Sequence, residues 1–198
     1  ETGAAAAAHG GFTSIACMPN TRPATDSPEQ IAFVKQRAAE ACGVHVWPIG
    51  AVTRGQQGQE LTDFEALKGA GAVALSDDGV PVQNANLMRD GLILAHRQNL
   101  TILSHCEDAD MVKNYAVNEG RISRQLRLAG RPAIAEELMV ARDAMLAEET
   151  GAHVHICHVS TAKSVDIIRR MKKRGVASPV RPAPSTSPSP RMRSSPGG

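Results

Sequence analysis

Short apolar runs and longer amphipathic stretches alternate along most of the chain. Strands are predicted over residues 11–18, 44–49, 72–75, 100–103 and 153–157, where four to eight mostly apolar residues end at polar or turn-forming ones. Between them the spacing predicts helices. Ser27, Pro28, Glu29 and Gln30 supply an N-cap, a first-turn proline and first-turn acidic and amide side chains, opening a helix that runs to Cys42 and stops at Gly43. Residues 62–67 form a short helix, 84–98 and 133–149 longer ones, and 161–174 a last helix ending at Gly175. The alanine-rich start, residues 1–8, reads as the middle of a helix with no initiator Met, so a fragment of a longer protein is expected. Strands alternating with helices at this spacing imply βα units and a parallel sheet. The expected class is α/β, a partial (β/α)8 TIM-type barrel of about five βα units. An open doubly wound sheet is the alternative, and no Gly-x-Gly-x-x-Gly follows the first strand to support it.

Composition narrows this picture. Hydrophobic residues make up 42% of the 198 but aromatics only 3%, so the core must be built mainly from Ala, Val, Ile and Leu. The 22 basic and 20 acidic residues leave a net charge of +2 with no basic stripe, which argues against nucleic acid as a partner. No apolar run approaches the roughly 20 residues of a membrane-spanning helix. The four cysteines are far apart, with no Cys-x-x-Cys pair and no signal peptide, which points to a reduced, cytoplasmic setting. From residue 177 the chain becomes almost all Pro, Ser, Arg, Ala and Gly, so residues 1–176 are expected to form the folded body and 177–198 a disordered tail.

The candidate chemistry sits where predicted strands end, the place where functional side chains converge in a parallel barrel. Asp77 and Asp78 follow the third strand before Gly79, a pattern that ordinary turns also show. His105 closes the fourth strand, with Glu107 and Asp108 just beyond, acids that most simply begin a helix. His158 lies past the fifth strand. His153 and His155 share a strand face but lie inside the strand rather than at its mouth. One carboxylate and two imidazoles suit a divalent ion such as zinc. Asn20, after the first strand, offers amide donors and an acceptor for a substrate. Cys106 and Cys157 read as small buried side chains.

Taken in order, Gly10-Gly11-Phe12-Thr13, Met18-Pro19-Asn20-Thr21-Arg22-Pro23, Ser76-Asp77-Asp78-Gly79-Val80, Ser104-His105-Cys106-Glu107-Asp108 and His155-Ile156-Cys157-His158-Val159-Ser160 carry a resemblance. Over residues 1–176 the chain resembles bacterial type I dihydroorotases of the amidohydrolase superfamily. The resemblance implies a (β/α)8 barrel with a two-zinc site and the reversible cyclisation of N-carbamoyl-L-aspartate to dihydroorotate in pyrimidine synthesis. It implies metal ligation by Asp78 (bridging), His105 and His158, and substrate binding by Asn20. It also implies a small-molecule substrate, with a homodimer or an aspartate transcarbamoylase association in the complete protein.

The chain departs from the family pattern at both ends. Neither the His-x-His-x-x-Arg motif, with two ligands and a substrate-binding Arg, nor the Asp-x-Ala-Pro-His motif, with the catalytic Asp, is present. Three of six ligands remain, so weak zinc binding and an inactive isolated chain are expected. Residues 177–187 can be encoded by the bases for Arg-Val-Thr-Gly-Glu-Thr-Cys-Pro-Gln-His-Phe read one nucleotide out of frame, so the tail is expected to be frameshift-derived. Two alternatives remain at this stage. Hydantoinases and allantoinases usually bridge their metals with a carboxylated Lys where this chain has Asp78. A non-catalytic dihydroorotase-like subunit would also tolerate missing ligands.

Overall fold

The structure, a computed structural model, describes residues 2–41, 43–112 and 117–176. The predicted helix end at Cys42 and the tail at 177–198 lie outside the described residues. The elements in order are α1 (Thr2–His9), β1 (Ser14–Cys17), α2 (Pro28–Glu40), β2 (His45–Ala51), a 3-10 turn (Arg54–Gln56), α3 (Phe64–Ala70), β3 (Ala74–Ser76), α4 (Ala85–Arg97), β4 (Ile102–His105), β5 (Val117–Asn118), α5 (Arg121–Gln125), β6 (Gly130–Arg131), α6 (Ala133–Thr150), β7 (Val154–Cys157) and α7 (Ala162–Lys173).

Helix starts follow the capping chemistry written in the sequence. The Ser27 hydroxyl accepts from Gln30 N at 3.4 Å, Asp63 from Ala66 N at 3.0 Å and Thr161 from Ser164 N at 3.1 Å. Asn84 caps α4 through Asn86 N at 2.9 Å and Leu87 N at 3.1 Å. At the other ends, α3 and α6 stop at Gly71 and Gly151, whose φ of 114° and 69° open the left-handed conformation that a Cβ disfavours.

Five strands form one parallel sheet in the order β1-β2-β3-β4-β7, which is the order of the chain. Register runs from Ser14 opposite His45 through Ile49 opposite Ala74 and Leu75 opposite Ile102 to Ile102 opposite Val154. Right-handed crossovers that always step the same way place α2, α3, α4, α6 and α7 on one face, so the sheet curls as part of a barrel. A doubly wound sheet would need a reversal of strand order, and this order has none. The alternation is visible in burial. Ile102, Ser104, Val154 and Ile156 are buried under the helices, while Leu103, His105, His155 and Cys157 face the other, barrel-interior side.

The core lies between sheet and helices and is aliphatic, as the composition requires. Ile31 of α2, Leu67 of α3, Met88 and Leu92 of α4, and Val140 of α6 pack on Leu75, Ile102, Val154 and Ile156. A Cβ on Gly50 of β2 would come within 2.9 Å of Leu67, so the absent side chain is what lets α3 settle on the sheet.

Two parts of the fold were not anticipated. Residues 117–131 form a small arm in which β5 and β6 pair and α5 links them. Gly130 belongs there because a Cβ would lie 2.4 Å from Glu119 Cα. Glu107 and Asp108 do not start a helix. Asp108 instead caps a turn, accepting from Asp110 N at 3.0 Å and Met111 N at 3.2 Å.

Candidate metal centre

The loops that leave β1, β3 and β7, together with the last residue of β4, meet at the C-terminal rim of the sheet. β3 ends at Ser76, and the two aspartates that follow separate at once. Asp77 turns back into the sheet, accepting from Val52 N at 2.8 Å, from Thr53 N at 3.2 Å and from the Thr53 hydroxyl. Burial lifts its pKa above the ordinary value, against the opposing pull of the Thr53 and Val52 hydrogen bonds. The Asp78 carboxylate projects into the mouth of the barrel.

Three side chains converge there. Asp78 Oδ1 lies 3.3 Å from His158 Nε2 and 3.9 Å from His105 Nδ1. The two rings stand edge to face with centroids 5.4 Å apart. One donor atom from each of Asp78, His105 and His158 falls within 4.8 Å of the others, and among the described residues this is the group able to hold a metal ion. Asn20, on the loop after β1, donates its amide to Asp78 Oδ2 at 3.0 Å. His153 and His155 are outside the group, as their position within the strand predicts.

The donor set fits a divalent ion. His105 Nδ1 is buried and has no hydrogen-bond partner, a state that usually costs free energy and so calls for a ligand. Burial also pushes the His105 pKa below its ordinary 6.5, ahead of the opposing pull of Glu107, so the ring is neutral and carries a free lone pair. The 3.9 Å from that nitrogen to Asp78 is too long for a hydrogen bond, and an ion held by both would satisfy it. The neighbouring thiols are protonated at neutral pH in the metal-free chain. Burial, then the charge of Asp78, pushes Cys157 up to about 11, and burial raises Cys106 well above its ordinary value.

A cleft of about 510 Å³ opens beside the group, lined by His105, His158, Asn118, Arg131 and Ser160 among others. Glu107 also lines it, with Oε2 3.8 Å from His105 Nε2 and Oε1 2.9 Å from Arg131 Nη1. Sequence reasoning missed this pair. The signal was a second acid two residues past a ligand-type histidine, but its cation arrives from the arm, which local patterning did not reveal.

With this geometry in hand, the relatives can be set beside it. Residues 1–164 match the family model described as dihydro-orotase-like. The dihydroorotase of Pelotomaculum thermopropionicum is 54% identical over 187 residues, covering 92% of this chain and 43% of that protein. That of Ruminiclostridium cellulolyticum is 51% identical over 176 residues, covering 89% and 41%. The chain thus spans about two fifths of the length of these curated relatives. Among solved structures, the L-hydantoinase (dihydropyrimidinase) of Arthrobacter aurescens superposes with a TM-score of 0.72 at 19% identity, over 89% of this chain and 41% of that one. A D-hydantoinase follows at 0.69 and 22%, over 90% and 40%. At such identities the structures speak for the barrel fold alone. The family match over residues 1–164 and the identity to named dihydroorotases decide the rest, and the chain belongs to the dihydroorotase-like family.

Proposed function

We propose that this chain supplies part of the zinc site of a dihydroorotase, a cyclic amide hydrolase that interconverts N-carbamoyl-L-aspartate and dihydroorotate. The observation that carries the proposal is the meeting of Asp78, His105 and His158 at one rim, in a chain 54% identical to a named dihydroorotase. Asp78, His105 and His158 would hold zinc, and Asn20 would bind substrate. Bound zinc would supply a hydroxide at neutral pH and polarise the amide carbonyl under attack.

The chain's own residues do the rest. Burial keeps His105 neutral, and the tautomer that carries its proton on Nε2, toward Glu107, leaves the Nδ1 lone pair free as a donor. The Asn20 amide at 3.0 Å from Asp78 sits on the rim, where it can orient an incoming amide or carboxylate group. The cleft of about 510 Å³ is of a size for a small-molecule substrate. The activity is proposed for the complete barrel, since the chain covers 43% or less of the curated relatives named above.

The test is a chimera in which residues 1–176 replace the matching segment of the Pelotomaculum dihydroorotase. Zinc-dependent hydrolysis of dihydroorotate, with hydantoin turned over far more slowly, is the expected result. Preference for hydantoin would overturn the substrate assignment, and turnover unaffected by chelators would overturn the zinc.

A further inference from the structure

We propose that helix α6 is the alignment element of the ligand group, and that Glu136, Arg142 and Asp143 are positioning residues for His158, Asp78 and His105 respectively. This rests on the metal reading of the site given above. Asp143 holds the two neighbours of His105, Glu136 the residues two and three past His158, and Arg142 the loop four and five residues past Asp78.

Asp143 is fully buried on the sheet-facing side of α6. Its Oδ2 accepts from Ser104 Oγ at 2.5 Å and from Cys106 Sγ at 3.5 Å. Ser104 and Cys106 flank His105. Alternation along an extended chain means that pinning both neighbours to the helix side directs His105 to the barrel interior. Arg142 completes the charge pair, with Nε 2.8 Å and Nη2 2.7 Å from Asp143 Oδ1. Its Nη1 then donates to Val82 O at 2.8 Å and Gln83 O at 3.0 Å. That loop continues directly from Asp78 and Gly79 and has no strand to fix it. The Gln83 amide in turn donates to Glu107 O at 3.0 Å, joining the two ligand loops to one another.

Glu136, near the start of the same helix, acts on the third ligand. Its carboxylate accepts from Ser160 N at 3.1 Å, from Thr161 N at 3.2 Å and from the Ser160 hydroxyl. These groups lie just past His158, whose φ of 54° is a left-handed conformation that a side chain disfavours. Such a residue persists when its surroundings over-determine it, and the Glu136 anchor is the restraint that does so. A charge pair with its carboxylate fully buried, as Asp143 is against the half-buried Arg142, is also a poor way to gain stability alone, since apolar residues of similar size often do as well. What the pair adds is a defined placement of two loops.

The experiment measures cobalt(II) affinity by chelator competition, the visible cobalt spectrum and the unfolding midpoint, all on the full chain. Glu136→Ala and Arg142→Met are expected to bind cobalt about 10–100-fold more weakly with an altered spectrum, while still unfolding cooperatively. Glu136→Gln, which keeps an acceptor oxygen, is expected to recover most of the affinity. Glu149→Ala, at the far end of α6, breaks the surface pair with Arg89 of α4 and is expected to leave cobalt affinity unchanged. Asp143→Asn is informative if it folds, and the other variants decide if it does not. Variants that bind within twofold of the parent would overturn the role of α6 and leave the metal reading standing. A parent chain that takes up no cobalt at millimolar concentration would overturn both.

Discussion

Removing the Asp77 carboxylate by Asp77→Ala tests how the rim is built. In the folded chain it receives Val52 N, Thr53 N and the Thr53 hydroxyl, and Asp77 is 4% exposed with Thr53 fully buried. Val52 N keeps a second acceptor, Ser76 O at 3.3 Å. Thr53 N and the Thr53 hydroxyl lose theirs. A buried donor without a partner costs about 1–3 kcal/mol, so two cost about 2–6. Removing a carboxylate whose burial is itself unfavourable returns part of that, leaving a net loss of about 2–4 kcal/mol. Asp77→Asn keeps one acceptor oxygen and should lose about half as much. Urea denaturation of the metal-free chain measures both. The sign with pH follows from the raised pKa: the folded state holds the Asp77 proton to higher pH than the unfolded state. The wild-type margin over Asp77→Asn is therefore full below the ordinary value of 3.8 and shrinks as pH rises through the folded pKa. An alanine variant within ~0.5 kcal/mol of wild type, or an asparagine variant less stable than alanine, would refute the reasoning.

Other consequences can be read separately. Burial lowers the His105 pKa, so the metal-free chain should keep that contribution above pH 6.5 and lose it as pH falls below, and His105→Gln should flatten this part of the stability profile. The Cys157 thiol, near 11, should alkylate at pH 8 roughly 100-fold more slowly than an ordinary cysteine, and faster in Asp78→Asn; site-resolved mass spectrometry reads the rate. Gly130→Ala drives a Cβ into Glu119 backbone atoms and should detach the arm, seen as lost hydrogen-exchange protection of Glu119 N, which donates to Arg131 O at 2.9 Å.

Much of this architecture is legible along the chain because local chemistry and global fold agree. Ser27 is a capping residue in sequence and in space, the structure adds Asp63, Asn84 and Thr161 as caps, and the helices expected from the sequence start within two residues of their expected places. Strand ends shift more. β1 begins at Ser14 rather than residue 11 because Gly10 N and Phe12 N still bond back to Ala6 O and Ala7 O of α1. β4 extends to His105 because its backbone pairs with Cys157, a partner set by a distant segment. The arm at 117–131 was invisible, since two-residue strands have no period to detect. Within the site, the residue types at strand ends marked Asp78, His105 and His158. Nothing local marked Asp143, because a charged residue inside a helix ordinarily faces solvent and here tertiary packing reverses that.

The central claim is that Asp78, His105 and His158 form one metal site, and zinc affinity of the purified chain and its single variants tests it most directly. The account predicts one zinc per chain. Asp78→Asn, His105→Gln and His158→Gln should each weaken binding tenfold or more, while His153→Ala and His155→Ala leave it unchanged. Zinc binding lost on removing His153 or His155, or retained in the three ligand variants, would contradict it.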